Sequence, residues 1–307
     1  MDFFDLHCDT ISRLLMDGGS LADAPFHINL QKARFDRWAQ VFALFVDDGR
    51  GSEAAYELYR QEAACFFWQM AAHSDRIRQC RTAADLDVAF ADGKHAAILS
   101  VENGAALGGK LERLAQFQQD GVRLLTLTWF GENELGFGSM AGGPLKPFGR
   151  EVLAALPQYG IVPDISHLSD EGVAEVFGLY EGPLAATHSD VRKVTGHCRN
   201  LTEAQIREVS RRGGLIGLNL CRMFLSSNAE SASCEDVYRH LSALLELGAE
   251  RTVCFGTDFD GTDVPADITD LAGIPHVYEY LLQKGVDEAT LRRVFFENAR
   301  DFWRRAL

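Results

Sequence analysis

Eight short apolar runs, many of them β-branched, recur along this chain with amphipathic segments between them. That alternation constrains the fold more than any other feature. The runs are Phe3–His7, Gln40–Val46, Ala96–Val101, Val122–Thr128, Ile161–Ser166, Leu184–His188, Leu215–Leu220 and Thr252–Gly256. Between them, Glu53–Ala72, Leu111–Gln119, the segment after Thr202, Val237–Leu247 and Glu288–Glu297 carry apolar residues at the 3.6-residue spacing of a helix. Gly121, Gly213-Gly214 and Gly248 supply helix stops. Strands alternating with helices predict parallel βαβ units, and eight of them predict an α/β fold of the closed (β/α)8, TIM-barrel type. The competing open, doubly wound sheet is marked by a Gly-rich phosphate turn after the first strand; His7-Cys8-Asp9-Thr10 stands there instead. A barrel needs about 250 residues. The chain has 307 and carries no internal repeat, linker or low-complexity block, so one domain over residues 1–307 is expected. The Gly- and Pro-rich stretch Gly131–Pro147 is the expected lid or substrate loop.

Composition narrows the partners. With 44 acidic and 30 basic residues the chain carries a formal charge of -14, which gives no electrostatic drive toward nucleic acid or anionic lipid. Neither nucleic acid nor a membrane is expected as a partner. No apolar run reaches the roughly 18 residues of a bilayer span, and MDFFDLHCDT lacks the pattern of a secretory leader. The seven cysteines are odd in number and contain no C-x-x-C pair, so both a disulfide framework and a zinc ribbon fail. A reducing, cytoplasmic setting is expected. The expected partners are a small-molecule substrate and, as an assembly, a second copy of the chain in a homodimer.

In a barrel of this kind the chemistry lies at the C-terminal ends of the strands. Polar residues fall there with regularity: His7-x-Asp9 after the first run, Glu102 in LSVENG, His167 in DISH, His188 in ATHS and Asp258 in CFGTDFDG. On an extended segment His7 and Asp9 share a side, with Cys8 opposite. Taken singly, each has a bland reading as a loop-orienting pair or a satisfied structural histidine. A lone carboxylate such as Glu102 at an apolar strand end is costly. Five such groups converging on one mouth are frustrated without a cation between them. Two divalent ions would more than offset Asp9, Glu102 and a hydroxide if the histidines are neutral. They would leave positive charge for a substrate carboxylate or an oxyanion, with Asp258 nearby. Imidazole and carboxylate ligands favour Zn²⁺, with Mn²⁺, Fe²⁺ or Co²⁺ in its place. A carboxylate such as Glu102 can bridge two ions, and a bridged water ionises near neutral pH to become a nucleophile.

These residues, together with VENG, DISH, THS, the Arg199-Asn200 pair and GTDFDG, resemble the renal (membrane) dipeptidase family, peptidase family M19 of the amidohydrolase superfamily. The resemblance runs from about Asp5 to the C-terminal ENARDFWRR. It implies a zinc-dependent metallo-dipeptidase that cleaves the peptide bond of small dipeptides, with two Zn²⁺ per chain. By the same resemblance His7 and Asp9 hold one zinc, His167 and His188 the other, and Glu102 bridges them. Asp258 is implied as the catalytic residue that handles the proton of the bridging water and the leaving amine. Arg199 falls where the family binds the substrate's C-terminal carboxylate, a group that a guanidinium fork matches bidentately. Two positions depart from the pattern. Trp129, in LTW, stands where the family has a histidine that contacts the tetrahedral intermediate, and no histidine occurs between His95 and His167. Cys221, in GLNLCR, stands where a substrate-contacting tyrosine is common. Trp129 and Cys221 are therefore the substrate-binding positions that leave substrate identity open. The alternatives are a metal-dependent amidohydrolase acting on another small carboxylate-bearing amide or lactone, and a metal-binding barrel without catalysis. Asp258 argues against the second, because a structural metal site needs no extra acid. Serine or cysteine nucleophile chemistry has no G-x-S-x-G elbow to support it.

Overall fold

The computed structural model describes residues 1–306. Nine strands form: β1 (Phe3–Asp5), β2 (Trp38–Phe45), β3 (Ile77–Gln79), β4 (His95–Glu102), β5 (Val122–Thr126), β6 (Val162–Asp164), β7 (Ala185–Ala186), β8 (Leu215–Leu218) and β9 (Val253–Phe255). Eight of them close a parallel barrel in the order β1-β2-β4-β5-β6-β7-β8-β9, with β9 returning to β1. The expected (β/α)8 barrel is thus the observed fold. The ninth strand, β3, pairs Ile77 with His95 on the edge of β4 whose later residues pair with β5. Its three residues are too few to show a periodic pattern, so the sequence gives no sign of it.

The strands stop earlier than their apolar runs do. Ile161–Ser166 pairs only over β6, and Leu184–His188 only over β7. The cause is Asp164 at the end of β6. Its Oδ1 accepts from the Ser166 and Thr187 amides, each at 2.9 Å. Those amides leave the ladder for a carboxylate, and the backbone turns outward where His167 and His188 follow.

Helices cover the outside, with starts set by local capping. Thr202 and Gln205 form a capping box for Glu203–Arg211. Ser233 and Asp236 form another, which starts Cys234–Glu246 a turn before the expected Val237. The segment expected as Glu288–Glu297 is helical to Arg292, passes through a π-turn over Arg293–Glu297, and continues as Asn298–Ala306. That turn sets Phe295 against Phe255, ring centroids 4.6 Å apart. One apolar cluster draws Phe4, Val41, Ile98, Leu124, Val162, Ala185, Leu215 and Cys254 from the eight barrel strands and joins them to Phe296, Phe302 and Trp303. Phe4 and Trp303 stack at 6.4 Å. The C-terminal segment therefore seals the filled barrel at its N-terminal end, which leaves the opposite end for chemistry. No helix among the described residues is long and apolar enough to cross a membrane.

The Gly131–Pro147 stretch, expected as the lid or substrate loop, is anchored to the body of the barrel. Leu135 and Leu145 are buried, and the Ser139 amide donates to the His167 carbonyl at 2.7 Å. The two leucines give the loop its own apolar anchor, so it lies strapped behind Trp129, Phe130 and His167.

Candidate metal centre and active site

Two aspartates buried in strand ends set the scaffold. Asp5 in β1 accepts from the Thr257 amide at 2.8 Å and from its hydroxyl at 2.7 Å, locking the tips of β1 and β9 together just before His7 and Asp258. On the far side Asp164 Oδ2 accepts from the hydroxyls of Thr126 and Thr187, each at 2.6 Å. Because the Thr187 proton goes to Asp164, its oxygen is left to accept from His188 Nδ1, 2.8 Å away. His188 is thereby held with a bare Nε2, the state in which imidazole binds a metal. His167, Asp258 and Asp260 have φ of 67°, 61° and 70°. Left-handed backbone in non-glycine residues costs about 1–2 kcal/mol each, and its concentration here is the mark of a strained site.

The five expected ligands converge. His7 Nε2 lies 3.4 Å from Asp9 Oδ2 and 3.4 Å from Glu102 Oε2. His167 Nε2 lies 2.9 Å and His188 Nε2 3.5 Å from Glu102 Oε1. Glu102 therefore turns one oxygen toward His7 and the other toward the two remaining histidines. All five are buried, at 7% exposure or less. Asp258 Oδ1 stands 4.0 Å from His7 Nε2, and Asn219 Nδ2 donates to Asp258 Oδ2 at 3.0 Å.

The electrostatics of this cluster are those of a cation site. Burial pushes the Asp9 carboxyl up, helped by Glu102 and opposed by His7. Burial likewise pushes Asp258 up, against His7 and with Asp9 and Glu102. Burial works against charge on His7 too, yet Glu102 and Asp9 outweigh it and raise its pKa well above the usual value. For Glu102, burial is overcome by His7 and by the polar contacts of the His167 and His188 rings, so its pKa falls well below normal. His7 Nε2 and Asp9 Oδ1 are buried without a hydrogen-bond partner, and His167 Nε2 faces His188 Nε2 at 2.9 Å. Bare nitrogens and carboxylate oxygens aimed at one another are a donor set that fits divalent cations of the zinc type. Two triplets, His7–Glu102–His188 and His7–Asp9–Asp258, each bring their ligand atoms within 4.8 Å of one another.

Asp9, Glu102, His167 and Asp258 line a cavity of about 330 Å³ whose walls include Trp129 and Cys221. Arg199 is not among the lining residues. It is 4% exposed and lies behind the Phe224 ring, 5.7 Å from its centroid. Its NH2 donates to the His188 carbonyl at 2.8 Å and its NH1 to Ser189 Oγ at 3.1 Å. Its Nε has no partner, and no carboxylate among the described residues pairs with it. Sequence reasoning missed the supports Asp5, Asp164, Asn219 and Asp260. The last accepts from Thr10 Oγ1 and from the His27 amide, both at 2.6 Å, and so ties the turn after Asp258 to the helix that begins at Thr10. The available signal was an aspartate set inside an apolar strand, in FFDLH and VPDISH, where burial without partners is costly.

A closed parallel barrel with histidines and carboxylates gathered at its C-terminal mouth is a fold of the amidohydrolase type. Within that class the chain belongs to the membrane dipeptidase family, peptidase family M19, whose sequence profile matches residues 1–306. It is similar to the crystal structure of dipeptidase AC, a family M19 metallopeptidase, at 29% identity with a TM-score of 0.94, covering 100% of this chain and 98% of the other. It is equally similar to a metallopeptidase from Rhodobacter sphaeroides liganded with a phosphinate mimic of the dipeptide L-Ala-D-Ala: 28% identity, TM-score 0.93, and 100% and 99% of the two chains. An uncharacterised protein from the pqqA 5′ region of Klebsiella pneumoniae is 29% identical over 251 residues, 78% of this chain and 91% of that protein. Membership of a metallopeptidase family implies metal binding, and the convergent cluster supplies the candidate ligands.

Proposed function

We propose that the protein is a zinc-dependent dipeptidase that hydrolyses the peptide bond of small dipeptides. The observation that carries this reading is Glu102, buried between His7 on one oxygen and His167 and His188 on the other, at the floor of a dipeptide-sized cavity. His7 and Asp9 would hold one Zn²⁺, His167 and His188 a second, and Glu102 would be shared. When bound, such a pair supplies Lewis acidity, which activates water near neutral pH and polarises a carbonyl.

The chain's own groups carry the rest. Asn219 occupies Asp258 Oδ2, so Oδ1 is the oxygen that faces the reacting centre. Asp258 Oδ1 accepts a proton as water oxygen bonds to the scissile carbonyl carbon. It passes that proton to the departing nitrogen as the C–N bond breaks. Arg199 would anchor the substrate's carboxylate once Phe224, which stands between it and the cavity, moves aside. A buried guanidinium whose partners are a carbonyl and a hydroxyl lacks a counter-ion, and a substrate anion would supply one. Trp129 and Cys221 shape the walls against the substrate.

Metal analysis joined to a screen of L,L- and L,D-dipeptides tests the reading. About two divalent ions per chain and chelator-sensitive release of free amino acids are expected. Turnover that persists in excess chelator, or no hydrolysis of any dipeptide by fully loaded protein, overturns it.

A further inference from the structure

Beside the ionisable residues Asp9, Glu102, His167 and Asp258, the cavity lining carries a set of large apolar side chains. Trp129 packs edge-to-face with Phe45 and at a tilt with Phe130, with ring centroids 5.0 and 4.9 Å away, and Phe130 meets the His167 ring at 4.7 Å. The backbone beneath this wall is clamped from behind, since Gly138 packs directly on the Trp129 and Phe130 carbonyls with no room for a side chain. A tryptophan held by two aromatic neighbours and a fixed backbone is a rigid surface. The same lining includes Met16 and Met223, which are 78% and 59% exposed. Single exposed apolar side chains are ordinary. Two methionines on the lining that also carries this aromatic wall are not scattered, and methionine is the side chain best able to mould itself to an apolar ligand. The cation on this lining, Arg13, is engaged by Asp17 at 2.7 Å and lies over the Phe26 ring. An acidic substrate side chain would therefore find little free charge.

Resting on the dipeptidase reading, we infer that the site selects dipeptides bearing a bulky apolar side chain, which lodges against the lining formed by the Trp129–Phe130 wall and the methionines Met16 and Met223. A small side chain leaves that space to water. A large one exchanges hydrated apolar surface for contact, a gain that a hydrophobic pocket typically turns into about 10- to 200-fold selectivity. The indole at position 129 then acts as a specificity determinant, and it has no imidazole chemistry to offer.

The test is kcat/KM of the metal-loaded enzyme on Ala-Ala, Leu-Ala, Phe-Ala, Ala-Phe and Ala-Glu. At least one Leu- or Phe-containing dipeptide should exceed Ala-Ala by about 10-fold or more. Trp129→Ala and, separately, Met223→Ser should pull that ratio toward one, mainly through KM. Metal content and melting temperature report whether each variant is intact. Met223 is exposed enough that its replacement leaves the fold alone. Ala-Ala cleaved as well as or better than the bulky substrates, a preference for Ala-Glu, or a ratio untouched by both variants overturns the inference while the dipeptidase reading stands. Failure to cleave any of the five overturns that reading itself.

Discussion

One methyl group at Gly261 tests whether Asp9 and Asp258 work from the positions they hold. Gly261 lies on the cavity wall, three residues past Asp258. A Cβ placed there would stand 2.7 Å from Asp258 Oδ1 and 2.9 Å from Asp9 Cγ, with Asp9 Oδ2 closer still. Both carboxylates must retreat by about 0.5–1 Å or more to reach ordinary van der Waals distance. Carboxylate ends can swing, so the fold should absorb the change at a cost of about 1 kcal/mol or less. The chemistry should not absorb it, because a misplacement of about 1 Å at reacting groups typically costs about 100-fold. Gly261→Ala should therefore lower kcat/KM by about two orders of magnitude and weaken metal retention, with a nearly unchanged melting temperature in the metal-stripped protein. Gly256→Ala is the contrast. Its Cβ would press on the Thr187 backbone, 2.8 Å from that carbonyl carbon and 3.2 Å from His188 Cα. Backbone cannot swing aside, so this variant should lose about 1–3 kcal/mol of stability. The assays are metal content, dipeptide turnover and thermal melting of all three proteins. Wild-type metal content and kcat/KM in Gly261→Ala would refute the assignment of both carboxylates, and a melting loss equal to that of Gly256→Ala would refute the positional argument.

Four further outcomes are expected. Asp258→Asn should keep its metal yet lose about 10²–10⁴-fold in turnover; loss of metal with unchanged turnover per ion would make Asp258 a ligand first. Arg199→Ala should reduce kcat/KM on free dipeptides by about 100-fold or more, while dipeptide amides, poor substrates from the start, stay indifferent; equal sensitivity of acids and amides removes the carboxylate role. Asp164→Asn disturbs the acceptor that orients Thr187 and hence His188, so metal affinity measured by chelator competition should fall by about 10–100-fold; unchanged affinity would cut that chain. Burial holds His240 down to about 4 despite the Leu225 carbonyl that favours its charged form. Its contribution is complete above the unfolded-state value near 6.5 and is lost as pH falls toward 4, an effect of about 3 kcal/mol; urea melts of wild type and His240→Gln should converge on acidification, and parallel loss in both would place the acid sensitivity elsewhere.

The residues that sequence reading found and those it missed differ in one physical respect. His7, Asp9, Glu102, His167, His188 and Asp258 stand out because each ends an apolar run, and polar groups at such places need a reason. The barrel stands out because eight such runs alternate with helical spacing. Asp5 and Asp164 were equally anomalous, but they lie within the runs, and their partners Thr257, Thr126 and Thr187 come from neighbouring strands that register alone brings alongside. The one-dimensional pattern shows that a buried carboxylate must be satisfied and is silent on which hydroxyl satisfies it. Arg199 shows the same limit in reverse. Its motif marks it as a binding residue, whereas its depth behind Phe224 and its lack of a counter-ion depend on packing across β7 and β8. Trp129 sits between these cases. The sequence reports a missing imidazole there, and only the neighbours Phe45 and Phe130 turn that absence into a wall with a chemistry of its own. A tip residue is therefore legible when its function is to be unsatisfied by the protein. It becomes illegible when its function is to satisfy another residue, because that partner is chosen by the fold.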